Sequence, residues 1–170
     1  MHTTFGRFGR AWWAPVLVLA LLAACDPQRI AELEEGVATE AEVRARFGEP
    51  AAVYAEPDGA RTFDYPRQPA GQVNYMITIG ADGKMSALRQ VLKPANFAKV
   101  LPGLDRAQVR RLLGRPARTQ TYALKQEEVW DWRFADGGEN KVFSTTFDVN
   151  GKVLSSATAL DGRDTGQVGR

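Results

Sequence analysis

Few side chains in this sequence could serve as nucleophiles, metal ligands or proton carriers. The chain has one cysteine, Cys25, and one histidine, His2, and His2 lies in a stretch with the features of a cleaved signal. Nucleophilic triads of the Ser-His-Asp or Cys-His type need a histidine, and zinc sites draw mainly on histidine and cysteine. The sequence therefore disfavours both chemistries, and we expect no catalytic residue, cofactor or metal.

Carboxylates are the remaining candidates for chemistry. Paired carboxylates can act as acid and base when a fold brings two of them together around a bond. The pairs in this chain fall at helix ends, turns and the solvent face of a strand: Glu34/Glu35, Glu127/Glu128 and Asp131/Asp136. The run from Asp148 to Lys152 resembles the start of a calcium loop but lacks its closing glutamate, so a hairpin turn is favoured. We predict that the protein is not an enzyme and has no small-molecule substrate.

Cys25 points to a different chemistry, covalent lipidation. Residues 1–24 have the three parts of a secretory signal, with Arg7 and Arg10 before an apolar stretch and small residues at its end. Leu-Ala-Ala-Cys, ending at Cys25, resembles a bacterial lipobox, at which a prolipoprotein is lipidated on sulfur and then cut. The apolar stretch is shorter than the ~20 residues of a membrane span. We predict a signal peptide over 1–24 and a lipid on Cys25 that anchors the protein to an envelope membrane, facing the periplasm.

Removal of the signal also changes the charge balance. The full sequence has 22 basic and 20 acidic residues. Arg7 and Arg10 leave with the signal, and the mature chain then has equal numbers of each. No basic excess remains to attract nucleic acid. With one cysteine, no internal disulfide can brace the fold, so an apolar core must stabilise it.

The mature chain contains a tandem repeat. The segments 36–50 and 103–116 match at a constant offset, with Thr39, Val43, Phe47, Gly48 and Pro50 corresponding to Asp105, Val109, Leu113, Gly114 and Pro116. An aromatic–Asp–aromatic strand and a turn with Gly and Lys come next in both copies. We predict unit 1 over 25–93, unit 2 over 94–160 and a disordered tail over 161–170.

Each repeat is predicted to be helical first and then to form an antiparallel sheet. Thr39 with Glu42, and Asp105 with Gln108, have the spacing of a capping box. A short helix before each of these is also expected, with Asp26 and Asn96 as caps. Period-two patterns and Asp-Gly or Asn-Gly turns indicate hairpins. The fold class is α+β, with helices on one face of each sheet and a free second face, which in two adjacent copies would give a shallow concave platform for a protein partner.

The aromatic strand residues allow two interpretations. Phe63, Tyr65, Trp130 and Trp132 could be presented to a partner, because tryptophan and tyrosine are common at interface hot spots. Regular alternation is equally what a half-buried strand requires, and its presence in both repeats favours the core. The core interpretation is preferred, with these four residues kept as a candidate partner surface.

Together these motifs resemble the SmpA/OmlA (BamE-like) outer-membrane lipoprotein domain. The marks are Gly36 to Pro50, the Phe63-Asp-Tyr65 strand and the strand that ends in Asp-Gly-Lys, each with its second copy. The resemblance implies a non-catalytic outer-membrane lipoprotein and, as partner, the machinery that inserts β-barrel proteins. That family's known subunit has one such unit, and a tandem pair is more similar to beta-lactamase-inhibitor-like proteins, which implies inhibition or sequestration of an envelope enzyme as the alternative. Asp26 after the cysteine resembles an inner-membrane retention signal, so the inner membrane stays open beside the preferred outer one.

Overall fold

Within the residues that the structure describes, the first repeat has one helix followed by a four-stranded sheet. A computed structural model of the chain describes residues 33–163; Cys25, the predicted signal and most of the first predicted helix lie outside that range. The four strands pair antiparallel with their neighbours in chain order. The elements are α1 (Glu40–Phe47), β1 (Ala52–Ala55), β2 (Arg61–Pro66), β3 (Asn74–Ile79) and β4 (Met85–Gln90).

The second repeat has the same order of elements, preceded by a short helix. Its sheet is also antiparallel throughout, and β6 and β7 are its longest strands. The elements are α2 (Pro94–Phe97), α3 (Arg106–Leu113), β5 (Arg118–Tyr122), β6 (Glu127–Asp136), β7 (Glu139–Phe147) and β8 (Val153–Leu160). The α+β class and the tandem helix–sheet units expected from the sequence are confirmed.

Both long helices begin with the predicted capping box. Thr39 accepts a hydrogen bond from the Glu42 backbone N–H, and the Glu42 carboxylate accepts one from the Thr39 backbone N–H. Asp105 and Gln108 make the same reciprocal pair in α3. These bonds satisfy N–H groups that the first helical turn leaves without an intrahelical partner. The short helix α2 differs from expectation, because it begins after Lys93 and not after Asn96.

The repeats also match in how the chain meets the last strand of each sheet. Thr39 bridges to Lys84, and Asp105 bridges to Lys152. The backbone N–H of Gly36 donates to Met85, the first residue of β4, and that of Gly103 donates to Val153, the first residue of β8. These equivalent bonds align the two units residue by residue.

The first sheet lies between helices of both units. One face contributes Phe63 and Ile77 to a core with Val43 of α1. From the opposite face, Met76 joins the second unit's core, which includes Leu113 of α3 and the aromatic residues of β6 and β7. The order of layers is therefore α1, first sheet, α2 with α3, second sheet. The first sheet differs here from the expectation of a free second face, because the helices of the next repeat cover it.

The chain end after β8 is held against the second sheet. Asp161 is buried, and its backbone N–H donates to Asn140 at 2.9 Å. Of the predicted disordered tail, 161–170, only its first three residues lie within the described range, and Asp161 among them is part of the folded structure. Its burial reflects the ion pair that it makes with Arg133.

Candidate functional site

The four aromatic residues proposed as a partner surface are buried. Phe63, Tyr65, Trp130 and Trp132 are all at most 7% exposed. The indole N–H of Trp132 donates to the backbone oxygen of Gly114 at 3.1 Å, directly beneath the end of α3. These four side chains lie on the sheet faces that pack against helices. They therefore form part of the core and not a docking surface in this structure.

The face of the first sheet opposite α1 is also closed to a partner, because α3 packs on it. Asn74 donates from its amide nitrogen to the backbone oxygens of Leu113 and Arg115, at 2.7 and 2.9 Å. The Arg111 guanidinium stacks over the ring of Tyr54 at 5.2 Å and pairs with Glu56 at 2.8 Å. These contacts attach α3 to the first sheet across its width.

Asp64 lies in the middle of that inter-unit contact. It is completely buried, and a side chain at Gly114 would approach its carboxylate to 2.7 Å. Burial raises the pKa of Asp64 to about 6, against the opposing pull of the Arg110 guanidinium and of Arg115. The equivalent residue of the second repeat is Asp131, which is half-buried and accepts a hydrogen bond from Ser144 at 2.7 Å.

The outward face of the second sheet is where Asp131 lies, and no element of the described chain packs over it as α3 packs over the first sheet. The strand registers place Arg118, Asp131, Ser144 and Ala157 side by side on this face. A cavity of about 590 Å³ opens on it. Its charged lining residues are Arg118, Asp131, Arg133, Asp161 and Arg163. We call this face, with its cavity, the outer face.

A paired charge fixes the floor of the cavity. Arg133 donates from Nε to Asp161 at 2.6 Å, and the two side chains are only 16% and 5% exposed. The loop after β2 supports the arrangement, since Gln68 donates to the backbone oxygen of Arg133 at 2.6 Å, and a guanidinium nitrogen of Arg133 donates to that of Pro69 at 3.4 Å. Because these charged side chains are already held in place, they could bind polar and charged groups of a partner with little loss of side-chain entropy.

A second cavity lies in the groove between the units. It measures about 670 Å³, with Tyr54, Met76 and Val91 among its apolar lining residues. Its rim is mainly basic, but Arg111 is paired with Glu56, and Arg89 with Glu35. Two of the arginines of this groove are therefore already paired within the chain.

Metal and membrane-spanning features are not found in the described range. Among residues 33–163, no group of three His, Cys, Asp or Glu side chains could hold a metal ion. The run from Asp148 to Lys152 forms the predicted hairpin turn, in which Asp148 accepts the backbone N–H of Lys152 at 2.8 Å. Within the same residues, no helix has the length and apolar character needed to cross a membrane.

Comparisons with known proteins give distant structural likenesses only. No protein-family model matches the chain, and no curated protein matches its sequence. A solved structure described as the osmotically inducible lipoprotein OsmE is 25% identical, over 41% of this chain and 82% of its own, with a TM-score of 0.36. A DUF4309 family protein from Bacillus subtilis is 19% identical, over 79% of this chain and 86% of its own, with a TM-score of 0.32.

A third structure is described as a beta-lactamase inhibitor protein from Streptococcus mutans. It is 12% identical, over 73% of this chain and 84% of its own, with a TM-score of 0.35. At TM-scores below 0.5, these likenesses assign neither a family nor a function to this chain. The resemblance to the SmpA/OmlA family stays a prediction from the sequence motifs.

The strand pattern places Asp131 of the outer-face cavity on a solvent face, but the pairing of Arg133 with Asp161 could not be predicted from local sequence. Arg133 and Asp161 are far apart in the sequence and meet because β8 returns beside β7. One signal was present: Asp64 and Asp131 occupy the same repeat position, and the helices of the second repeat, which follow the first sheet in the chain, can cover Asp64.

Proposed function

We propose that this protein is a lipid-anchored interaction module of the bacterial envelope that binds a protein partner through the outer face of its second sheet. The observation that carries the proposal is the difference between the two sheets: the next repeat covers the first, whereas the second presents Asp131 and the Arg133–Asp161 pair in an open cavity. Open sheet faces with a preorganised polar site suit protein recognition. The anchor rests on the lipobox-like sequence at Cys25.

We further propose that the module is a BamE-like factor supporting outer-membrane β-barrel assembly or envelope integrity. The support is the motif resemblance in both repeats together with the predicted lipid anchor. The outer membrane is the preferred location, and Asp26 keeps the inner membrane open. The partner is then the β-barrel assembly machinery, with no nucleic acid, cofactor or small-molecule substrate.

The anchor is tested by Cys25→Ser. The proposal expects loss of lipidation and of the cleavage that depends on it, measured by mass spectrometry of the membrane fraction. Normal processing of this variant would contradict the lipoprotein assignment.

The partner surface is tested by affinity capture of the native lipidated protein and of two matched variants. Ala157→Glu places a charge on the outer face, whereas Ala45→Glu places one on the exposed side of α1. We expect barrel-assembly components with the native protein and with Ala45→Glu, and their loss with Ala157→Glu. Unchanged barrel-protein levels and envelope permeability after deletion of the gene would contradict the assembly role.

A second candidate function is inhibition or sequestration of another envelope enzyme. The breadth of the outer face, which spans all four strands of the second sheet, favours this candidate to the same degree as the first. Capture of a soluble enzyme in place of the assembly machinery, with loss on Ala157→Glu, would support it. An activity screen that loses its signal on a single Asp or Glu substitution would instead point to an enzyme.

A further inference from the structure

The two units differ in how they protect the last strand of each sheet. β4 and β8 occupy the same edge position in their sheets. At β4, the carboxylate of Glu35 accepts the hydrogen bond that the backbone N–H of Leu88 directs away from the sheet, at 2.9 Å. The same carboxylate pairs with the Arg89 guanidinium. Charged side chains and covering groups of this kind block pairing with another strand.

Among residues 33–163, no side chain protects β8 as Glu35 protects β4. Ser156 takes the place of Leu88 in the second repeat, and Pro102 takes the place of Glu35, because the glycines next to Glu35 and Pro102 make equivalent bonds to β4 and β8. β8 contains neither a charged residue nor a proline, and every residue after Val153 is exposed. Beyond the register shift near Val153, the rest of this edge has no charge, proline or covering side chain that would prevent strand addition.

The direction of the backbone groups along β8 can be assigned. The N–H of Asp161, one residue beyond the strand, donates inward to Asn140 of β7. Successive residues of a strand direct their backbone groups to opposite sides. Ser156, Thr158 and Leu160 therefore direct their N–H and C=O groups outward, as Leu88 does in β4.

We propose that β8 pairs antiparallel with β8 of a second copy of this chain, about a two-fold axis at Thr158. In this register Thr158 lies opposite Thr158 of the partner subunit, and Ser156 lies opposite Leu160 of the partner subunit. Each opposed pair exchanges two backbone hydrogen bonds, so that the outward groups of Ser156, Thr158 and Leu160 are satisfied in both strands. The two sheets then become one continuous sheet.

The side chains fit this register. Thr–Thr pairs across an antiparallel contact are favourable, and no like charges are opposed along β8. Leu160 is 59% exposed in the single chain, and Ser156 of the partner subunit would partly cover it on pairing. A second copy is also the occupant whose edge is complementary by symmetry, since an isologous contact uses the same surface twice.

The pairing is expected to be weak and concentration-dependent. A contact made by a single strand on each side lies at the small end of specific interfaces, below ~1,200 Å². Confinement of both copies to one membrane by the proposed anchor would raise their effective concentration and favour the dimer. The dimer uses the β8 edge and leaves the outer-face cavity accessible. Measurement of the oligomeric state therefore tests the strand pairing, and affinity capture tests the proposed partner surface separately.

The register is tested by charge pairs in the full-length lipidated protein in detergent micelles. Ser156→Lys with Leu160→Glu places opposite charges opposite each other in the dimer, whereas Ser156→Lys with Leu160→Lys places like charges there. Sedimentation equilibrium should show a dimer for the wild type and for the Lys/Glu variant, and at least about tenfold weaker association for the Lys/Lys variant. Far-UV circular dichroism checks that both variants are folded.

A proline variant tests the role of the backbone edge itself. Thr158→Pro removes an outward N–H from each copy without removing an N–H that bonds to β7, and should weaken association about tenfold or more. Leu88→Pro, at the closed edge of the first sheet, should leave association unchanged. A wild-type protein that sediments as a monomer at every concentration, or two charge variants that associate equally, would overturn the proposal.

Discussion

Asp64 and Asp131 show how one residue type at one repeat position acquires two roles. Both precede the second aromatic of the same short motif and point to the same side of their strands. Asp64 is buried beneath the end of α3, whereas Asp131 faces the outer-face cavity. Local sequence cannot distinguish them, because the difference comes from long-range packing. The helices of the second repeat cover the first sheet, and no element within residues 33–163 covers the second sheet in the same way.

Replacement of Asp64 by Asn should stabilise the protein near neutral pH. The folded-state pKa of Asp64, about 6, lies above its ordinary value of 3.8. Folding therefore favours the protonated carboxyl, and this residue's contribution to stability is lost as the pH rises from about 4 to about 6. We expect Asp64→Asn to raise the free energy of unfolding at pH 7 by up to about 3 kcal/mol and to flatten its pH dependence in that window. Urea unfolding at several pH values measures both effects.

Asp131→Asn is the matched control for this change. Its carboxylate is near solvent and already accepts a hydrogen bond from Ser144. A stabilisation by Asp131→Asn as large as that by Asp64→Asn would contradict the assignment of the effect to burial.

Asn74 is expected to be the most sensitive polar residue of the inter-unit contact. Its amide nitrogen satisfies two backbone oxygens at the end of α3, and its side-chain oxygen accepts the N–H of Arg67 at 3.2 Å. Asn74→Ala removes the donor from the two backbone oxygens at the end of α3, which should cost about 2–4 kcal/mol, measured by calorimetry. Gln72→Ala removes a more exposed inter-unit bond, to Asn140, and should cost less than about 1 kcal/mol. Equal losses would contradict the role given to burial.

At the scale of elements, the two glycines that end the long helices form a natural matched pair. Gly48 after α1 and Gly114 after α3 have φ values of 82° and 72°, a conformation that strains other residues. A side chain at Gly48 would meet nothing within 4 Å, whereas one at Gly114 would approach Asp64 to 2.7 Å and Asn74 to 3.0 Å. We expect Gly48→Ala to cost about 1–3 kcal/mol and Gly114→Ala about 1–3 kcal/mol more, by thermal unfolding. Equal losses of stability would contradict the close packing of Gly114 against Asp64 and Asn74.

The elements themselves could be predicted closely from the sequence, and their contacts could not. Capping boxes, glycine stops and hairpin turns are local, so Thr39, Asp105 and the Asn150-Gly151 turn could be recognised from spacing alone. The same patterns occur in both repeats and therefore cannot say which sheet face the neighbouring repeat covers. A free second face was expected for both sheets, but the covering of the first of these faces and the closed edge at Glu35 depend on long-range packing, which local patterns do not contain.

At the scale of the whole molecule, the shared core predicts that both units unfold together. Met76 of the first sheet packs with the second unit's aromatic residues, and Asn74 and Gln68 add inter-unit hydrogen bonds. Separation of the units would expose this apolar face and leave buried polar groups unpaired. A contact of that kind makes independent folding of the first unit unfavourable.

Ile77→Ala tests this coupling most directly. Ile77 is fully buried among first-unit residues, whereas the only tryptophans of residues 25–170, Trp130 and Trp132, lie in the second unit. If the units unfold as one, a loss of about 2–4 kcal/mol at Ile77 should shift the tryptophan-fluorescence midpoint together with the far-UV circular dichroism. Val109→Ala, in the second unit, should shift both signals in the same way. If Ile77→Ala leaves the tryptophan midpoint unchanged and splits the circular dichroism into two transitions, the two units unfold independently. Only separate cores would allow a cavity in the first unit to leave the stability of the second unit unchanged.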